Sequence, residues 1–130
     1  MGVVRRALHR SPDGEVTAVA VKLLDSSFAQ EQSFKDAFRR EVQAIARLDH
    51  PRIVAVFDHG LVSEEESQAS PADLIVGMPW LAMAYVEGST LAPLRGTLRW
   101  PKCRAFLLEI LEALAHAHAR GVVHRDLKPE

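Results

Sequence analysis

The sequence is short of several residue types, and each shortage excludes a class of protein. One of its 130 residues is cysteine, Cys103, which excludes an internal disulfide and a cysteine-rich metal site. The net charge of -1 gives no electrostatic reason to expect contact with nucleic acid or an anionic membrane surface. No apolar run is long enough to span a bilayer. We therefore expect a globular domain of the reducing cytoplasm, or the cytoplasmic part of a longer membrane-anchored protein.

Apolar residues make up 48% of the chain and charged residues 25%, a balance typical of a domain with a modest core. Strand patterns cover residues 3–9, 16–24, 53–58 and 80–86, and helical patterns cover 33–48 and 101–120. The polar segment 63–73 is interpreted as an exposed loop, most simply a solvated insertion and otherwise an acidic docking surface. The elements predict an α+β fold.

The helix over residues 33–48 carries an acidic residue in an unusual place. Ser33 is its predicted N-cap, and the side chains predicted to form its apolar face are Phe34, Phe38, Val42 and Ile45. Glu41 borders this apolar stripe, where an unpaired carboxylate is costly to bury. We therefore expect Glu41 to need a cation. By itself, Lys22 at the end of the strand Val19-Ala20-Val21-Lys22 would be interpreted as an edge residue that reaches solvent. The acid on the following helix, together with the polar segment at the end of the chain, makes Lys22 the candidate partner.

The last seven residues, His124-Arg125-Asp126-Leu127-Lys128-Pro129-Glu130, form a polar segment after a short apolar run. Pro129 opposes a helix and favours a loop. Asp126 and Lys128 lie two residues apart, so in a loop they can serve one site. A carboxylate that accepts a proton beside an ammonium that neutralises an anion suits phosphoryl transfer to a hydroxyl.

The chain contains, in this order, a Val-Ala-Val-Lys strand, a helix with a glutamate and an HRDLKPE segment. This series of motifs resembles the protein kinase family. The likeness covers essentially the whole chain and is greatest to bacterial serine/threonine kinases of the eukaryotic-like type. It implies a protein-kinase-like fold with an antiparallel small-lobe sheet, one regulatory helix and the first helices of the large lobe. Residues 1–86 would form a small lobe without its first strand. Residues 87–130 would contribute the hinge, the start of the large lobe and part of the catalytic loop.

The resemblance also assigns roles to individual residues. Asp126 would orient the substrate hydroxyl and accept its proton, Lys128 would neutralise the γ-phosphate, and Lys22 held by Glu41 would bind the other phosphates. The residues implied in binding ATP are Gly2, Val4, Ala20, Lys22, Met83, Ala84 and Val86. Among these, the backbone groups of Ala84 and Val86 would hydrogen-bond the adenine, and Met83 would lie behind it.

Two parts of the family's Mg²⁺ site, the loop Asn and the DFG Asp, do not occur among these residues. We expect the metal ligands in a C-terminal part that is absent here, and we expect the fragment to be inactive alone. The expected partners are ATP, Mg²⁺ and a protein carrying a Ser or Thr, since Lys128 in HRDLKPE is typical of serine/threonine kinases.

Two other function classes stay open at this point. One is a non-catalytic module that binds nucleotide weakly or acts as a docking partner. The other is a small-molecule phosphotransferase, which HRDLKPE disfavours. We assign no catalytic role to three of the histidines. His50, in the segment His50-Pro51-Arg52-Ile53-Val54, is interpreted as structural. His116 and His118 lie two residues apart on a helix and would face different ways, so they are not expected to form a metal pair.

Overall fold

A computed structural model describes residues 2–25, 31–69 and 74–127 of the chain. The elements, in chain order, are β1 (Val3–Arg10), β2 (Val16–Leu23), α1 (Gln32–Ala46), β3 (Val56–Leu61), α2 (Glu64–Ala69), β4 (Pro79–Ala84), a 3-10 turn (Ala92–Leu94) and α3 (Trp100–His118). The chain divides into two compact units. The first contains residues 1–47 and 55–85, and the second contains residues 48–54 and 86–130.

The first unit is built on a four-stranded sheet in the order β1-β2-β4-β3, in which every neighbouring pair is antiparallel. Strand β2 is bonded along both edges, by β1 on one side and β4 on the other. Val19 in β2 is 4% exposed and Ala82 in β4 is 8% exposed, so the buried part of the sheet lies where these two strands meet. The predicted antiparallel sheet is confirmed.

Successive residues of β2 point to opposite faces of the sheet, and paired residues on neighbouring strands share a face. We call the two sides the Lys22 face and the Val21 face. The Lys22 face carries the pairs Val4–Lys22, Ala20–Met83, Lys22–Leu81 and His59–Leu81. The Val21 face carries the pairs Val21–Ala82, Leu23–Trp80 and Gly60–Trp80. The ring of Phe38 in α1 meets His59 edge-on, with 6.4 Å between centroids, so α1 contacts the Lys22 face.

Helix α1 buries the middle of its predicted apolar stripe, Phe38 and Val42. Its predicted N-cap is wrong. The N-cap is Glu31, whose side chain makes no capping bond, and Ser33 lies within the first turn. Asp36 is engaged by its own helix, because Gln32 Nε2 donates to Asp36 Oδ1 at 3.0 Å.

The third strand begins three residues later than the predicted range of 53–58. His50 organises a turn instead: its Nδ1 accepts a hydrogen bond from the Arg52 N–H at 3.1 Å, and its carbonyl accepts one from Ile53 at 3.0 Å. Pro51 favours such a turn. The fourth strand ends at Ala84, two residues before the predicted end, and the Ala84 N–H donates to the Ala55 carbonyl at 2.9 Å.

The segment predicted as an exposed loop, residues 63–73, contains the short helix α2. Its first turn is closed by a capping box. The Ser63 N–H donates to Glu66 Oε2 at 2.8 Å, and the Glu66 N–H donates to Ser63 Oγ at 3.1 Å. The loop prediction is therefore wrong for residues 64–69, and residues 70–73 of that prediction lie outside the described part of the chain.

The second unit packs segment 48–54 against α3. Arg52 Nη2 lies 3.1 Å from Glu109 Oε1, and the rings of His50 and His116 lie 5.0 Å apart between centroids. Pro101 lies in the first turn of α3, as predicted, and the Gly121 N–H donates to the His118 carbonyl at its end. Among the helices of the described residues, none has the length and apolarity needed to cross a bilayer.

His116 lies in this packed region, and its surroundings shift its pKa. Within the described residues, its buried Nε2 atom has no hydrogen-bond partner. Burial lowers the pKa of His116 below its ordinary value, and the charges of Arg120 and His50 lower it further, while Asp49 acts in the opposite direction. The folded chain therefore favours the neutral form of this ring.

Acidification should destabilise the chain through His116. In the unfolded chain the ring takes up a proton at its ordinary pKa of about 6.5, whereas the folded chain binds that proton only at lower pH. The free energy of unfolding should therefore fall as pH drops from about 7.5 to about 5.5. Urea unfolding of His116→Asn should show less of this pH dependence than the matched variant His118→Asn, whose ring is exposed. Equal pH dependence in the two variants would contradict the assignment.

Candidate active site

Four of the residues that the resemblance assigns to ATP share the Lys22 face of the sheet. Val4 is paired with Lys22, and Ala20 is paired with Met83. Three apolar side chains therefore lie on the same side of the sheet as one ammonium group. Such a surface can take a flat apolar ring whose attached group is anionic, because the ring is desolvated while the charge is paired.

Gly2 is placed where no side chain would fit. A Cβ atom on Gly2 would collide with the carbonyl oxygen of Leu23 and lie 3.3 Å from its carbonyl carbon. The glycine therefore lets the chain before β1 pass against the end of β2. Its role beside the phosphates stays a prediction.

The chain leaves β4 through Ala84, Tyr85 and Val86. Val86 is 70% exposed, and no acceptor within the described residues takes the hydrogen bond of its N–H. Ala84 uses its own N–H on the Ala55 carbonyl at 2.9 Å. A ligand acceptor could therefore bind the Val86 N–H without displacing an internal bond. Val86 belongs to the second unit, and Ala84 belongs to the first.

The expected ion pair between Lys22 and Glu41 is not formed. Both residues are described, and no contact within 4.0 Å joins the ammonium to the carboxylate. Glu41 is exposed and Lys22 is half-buried. The hydrophobic requirement of α1 is met by burying Phe38 and Val42, which leaves Glu41 in water. A hydrated carboxylate gains little from an ion pair, so nothing local forces the contact.

The loop with Asp126 lies in the second unit. The Asp126 N–H donates to the His124 carbonyl at 2.8 Å, and its side chain is exposed. Arg125 between them has φ = 58°, the one non-glycine residue with a positive φ in the described ranges. Asp126 therefore lies at the end of a tight turn. Lys128, the second catalytic candidate here, lies outside the described residues.

Arg6 is a residue that the motifs did not single out. Its guanidinium carbon lies 5.2 Å from the centroid of the Tyr85 ring, a cation–π contact between β1 and the segment after β4. Arg6 is paired with Ala20, so it also belongs to the Lys22 face. Val4 and Arg6 lie two residues apart in β1, so alternation could have placed Arg6 on the same face as Val4. The contact with Tyr85 could not be predicted, because Tyr85 follows a different strand.

The described residues supply no obvious magnesium site. No group of three or more His, Cys, Asp and Glu side chains among them is arranged to hold a metal ion. No described residue is therefore assigned to the Mg²⁺ that protein kinases generally use. The apolar Val4, Ala20 and Met83 share one face of the sheet with the ammonium of Lys22, and these are side-chain types suited to a nucleotide.

Comparison with known proteins supports the resemblance that the order of the motifs indicated. A family model described as a protein kinase domain matches residues 1–130. The serine/threonine-protein kinase PksC of Streptomyces coelicolor is 38% identical over an aligned length of 120 residues, and the match covers 85% of this chain and 20% of that protein. The serine/threonine-protein kinase PknB of Mycobacterium tuberculosis is 39% identical over an aligned length of 114 residues, and the match covers 85% of this chain and 17% of that protein.

A solved structure agrees with the fold. The crystal structure of the M. tuberculosis PknI kinase domain superposes with a TM-score of 0.71 at 30% identity, and the match covers 95% of this chain and 46% of that one. The chain thus spans a fifth or less of the two curated relatives and about half of a kinase domain. The predicted resemblance and the predicted fold class are confirmed: the chain belongs to the protein kinase family.

Proposed function

We propose that the domain containing this chain transfers the γ-phosphoryl group of ATP to serine or threonine hydroxyls of proteins. The observation that carries this proposal is the common face of Val4, Ala20, Lys22 and Met83, set by strand pairing. The relatives, which are serine/threonine-protein kinases by name, support the same reaction. ATP and a protein substrate are therefore the partners that we propose.

The residues that the resemblance assigns to ATP would divide the tasks of binding it. Val4 and Ala20 would exclude water from the adenine ring, and Met83 would limit how deeply the ring enters. The Ala84 carbonyl and the Val86 N–H would pair with the edge of the base. Lys22 would bind the phosphates, and Gly2 would allow the backbone to approach them closely.

The chemical step would depend on the loop after α3. Asp126 would accept the proton of the attacking hydroxyl and hold its oxygen toward the phosphorus. Lys128 would neutralise charge on the transferred group, and its presence motivates the preference for serine and threonine. Phosphoryl transfer requires positioning and electrostatic stabilisation more than covalent chemistry by the protein, so an exposed aspartate on a tight turn suits the task.

We further propose that the described arrangement is an inactive one. Lys22 lacks its expected partner because Glu41 is exposed on α1. A rotation or shift of α1 that brings Glu41 to Lys22 would fix the ammonium at the phosphates. We also propose that residues 1–86 work as the small lobe, that residues 87–130 begin the large lobe, and that this part of the protein works in the cytoplasm.

Lys22 and Asp126 can be tested in a chimera in which residues 1–130 replace the matching segment of PksC from S. coelicolor. Lys22→Met and Asp126→Asn should each reduce the rate of phosphorylation of a serine/threonine substrate by about 100-fold or more, because each removes a charged group used at the phosphoryl centre. Lys102→Met, the same change at an exposed lysine of α3, is the matched control and should retain full activity. The assay is incorporation of labelled phosphate.

Full activity of the Lys22→Met chimera would remove Lys22 from the site. An inactive unsubstituted chimera that melts cooperatively and fails to bind ATP would contradict the whole assignment of the Lys22 face.

A polypeptide of residues 1–130 alone should not transfer phosphate, because neither magnesium ligand of the family motif occurs in it. The measurement is labelled phosphate on a generic serine/threonine substrate after incubation with ATP and Mg²⁺. An Asp126→Asn polypeptide gives the background. Incorporation above that background would show that another group in these residues holds the metal.

A further inference from the structure

The Val21 face of the sheet carries a pocket that the proposed kinase reaction does not use. Its volume is about 480 Å³, within the range of small-molecule sites in proteins. The sheet contributes Val21, Leu23 and Trp80 to its lining, and the segment that follows β3 contributes Ala69 and Leu74. Val21 and Leu23 flank Lys22 in β2, so the pocket lies on the face opposite to Lys22.

Hydrogen bonds hold the described residues of the segment that forms the outer wall of the pocket. Ser67 Oγ in α2 donates to the Leu74 carbonyl at 2.6 Å, which connects the helix to the chain that returns to β4. The capping box of Ser63 and Glu66 holds the start of the same helix. The Gly77 N–H donates to the Val62 carbonyl at 2.8 Å and extends the pairing of β3 with β4. Hydrogen bonds therefore hold this part of the lining both before and after α2.

Gly60 allows the Trp80 ring to lie against the sheet. The two residues are paired across β3 and β4, and a Cβ atom on Gly60 would come within 2.9 Å of Trp80 Cζ2. A side chain at position 60 would therefore force the indole to shift. The indole of Trp80 thus forms part of an apolar lining, and its π face can also attract a cation.

Glu66 is the one charged residue among the described residues that line the pocket. Its Oε2 accepts the Ser63 N–H, while its other oxygen has no hydrogen-bond partner within the described ranges. Glu64 and Glu65 precede it in the first turn of α2 and add negative potential. The pocket therefore combines an apolar interior with a single acceptor of positive charge.

We propose that this pocket binds a small amphipathic cation, a molecule with an apolar ring and a protonated amine. The ring would be buried among Val21, Leu23 and Trp80, where it replaces water on apolar surface. The amine would pair with the free oxygen of Glu66. This site is independent of the proposed nucleotide site, because the two lie on opposite faces of β2.

The direct test uses the chain of residues 1–130 and two small probes that share a ring. Phenethylamine carries the cation, and phenylacetate carries an anion instead. The indole N–H signal of Trp80 in an NMR titration is the readout, assigned with a Trp100→Phe variant because the chain has 2 tryptophans. Phenethylamine should shift the Trp80 signal saturably, and phenylacetate should bind at least about 10-fold more weakly.

Four variants separate binding in the pocket from binding to surface charge or to the Lys22 face. Glu66→Gln keeps an acceptor for the Ser63 N–H but removes the charge, and it should weaken phenethylamine binding about 10-fold. Ala69→Phe, at an exposed helical position, should fill the pocket and abolish the shift. Glu65→Gln, which removes the neighbouring charge outside the lining, and Lys22→Met, on the opposite face, should change the affinity by less than about 2-fold.

The proposal is overturned if phenethylamine produces no saturable shift, if phenylacetate binds as well, or if Ala69→Phe binds normally. An equal loss in Glu65→Gln and Glu66→Gln also overturns it, because the charge would then act from the surface of α2. A loss of binding in Lys22→Met would assign the probe to the Lys22 face instead. Failure of the kinase proposal would leave these outcomes unchanged, since no nucleotide or phosphorylation is measured.

Discussion

The rest of the first unit depends on the pairing of β2 along both of its edges. Its register with β1 and β4 decides which residues of three strands share a face. A slip of one residue would move Lys22 to the face that now carries Val21. All other residues of β2 would change face in the same way. The proposed nucleotide surface and the proposed pocket are thus two results of one alignment of hydrogen bonds.

Much of the fold follows from local patterns, and the errors have identifiable causes. Strand β2 was predicted from the alternation of its side chains, and helix α1 was predicted from the helical spacing of Phe38 and Val42. Both patterns repeat over several residues of one segment, so they can be recognised without knowing the rest of the fold. Ile53 and Val54 favoured a strand by propensity, but the bonds of the His50 turn hold the backbone there. Helix α2 was missed because its run of glutamates suggested solvent, although Ser63 and Glu66 have capping-box spacing.

The site was predictable where a motif holds its residues within one strand and unpredictable where distant segments meet. Ala20 and Lys22 share a face by alternation alone, whereas their alignment with Met83 needed the register of β4. The missing contact between Lys22 and Glu41 depends on where α1 lies against the sheet, which its apolar stripe fixes only within part of a turn. The contact of Trp80 with Gly60 likewise depends on strand register, here that of β3 with β4.

The backbone of Arg125 has a left-handed conformation, which is unfavourable for a residue other than glycine. A left-handed conformation costs a residue with a Cβ atom roughly 1–2 kcal/mol, and a glycine would largely avoid that cost. Arg125 is exposed, so burial of its side chain returns none of this energy. A glycine at position 125 would therefore make this turn more stable. The described contacts give no reason of stability for an arginine beside Asp126, so any advantage of this residue would have to come from the role that we propose for the loop.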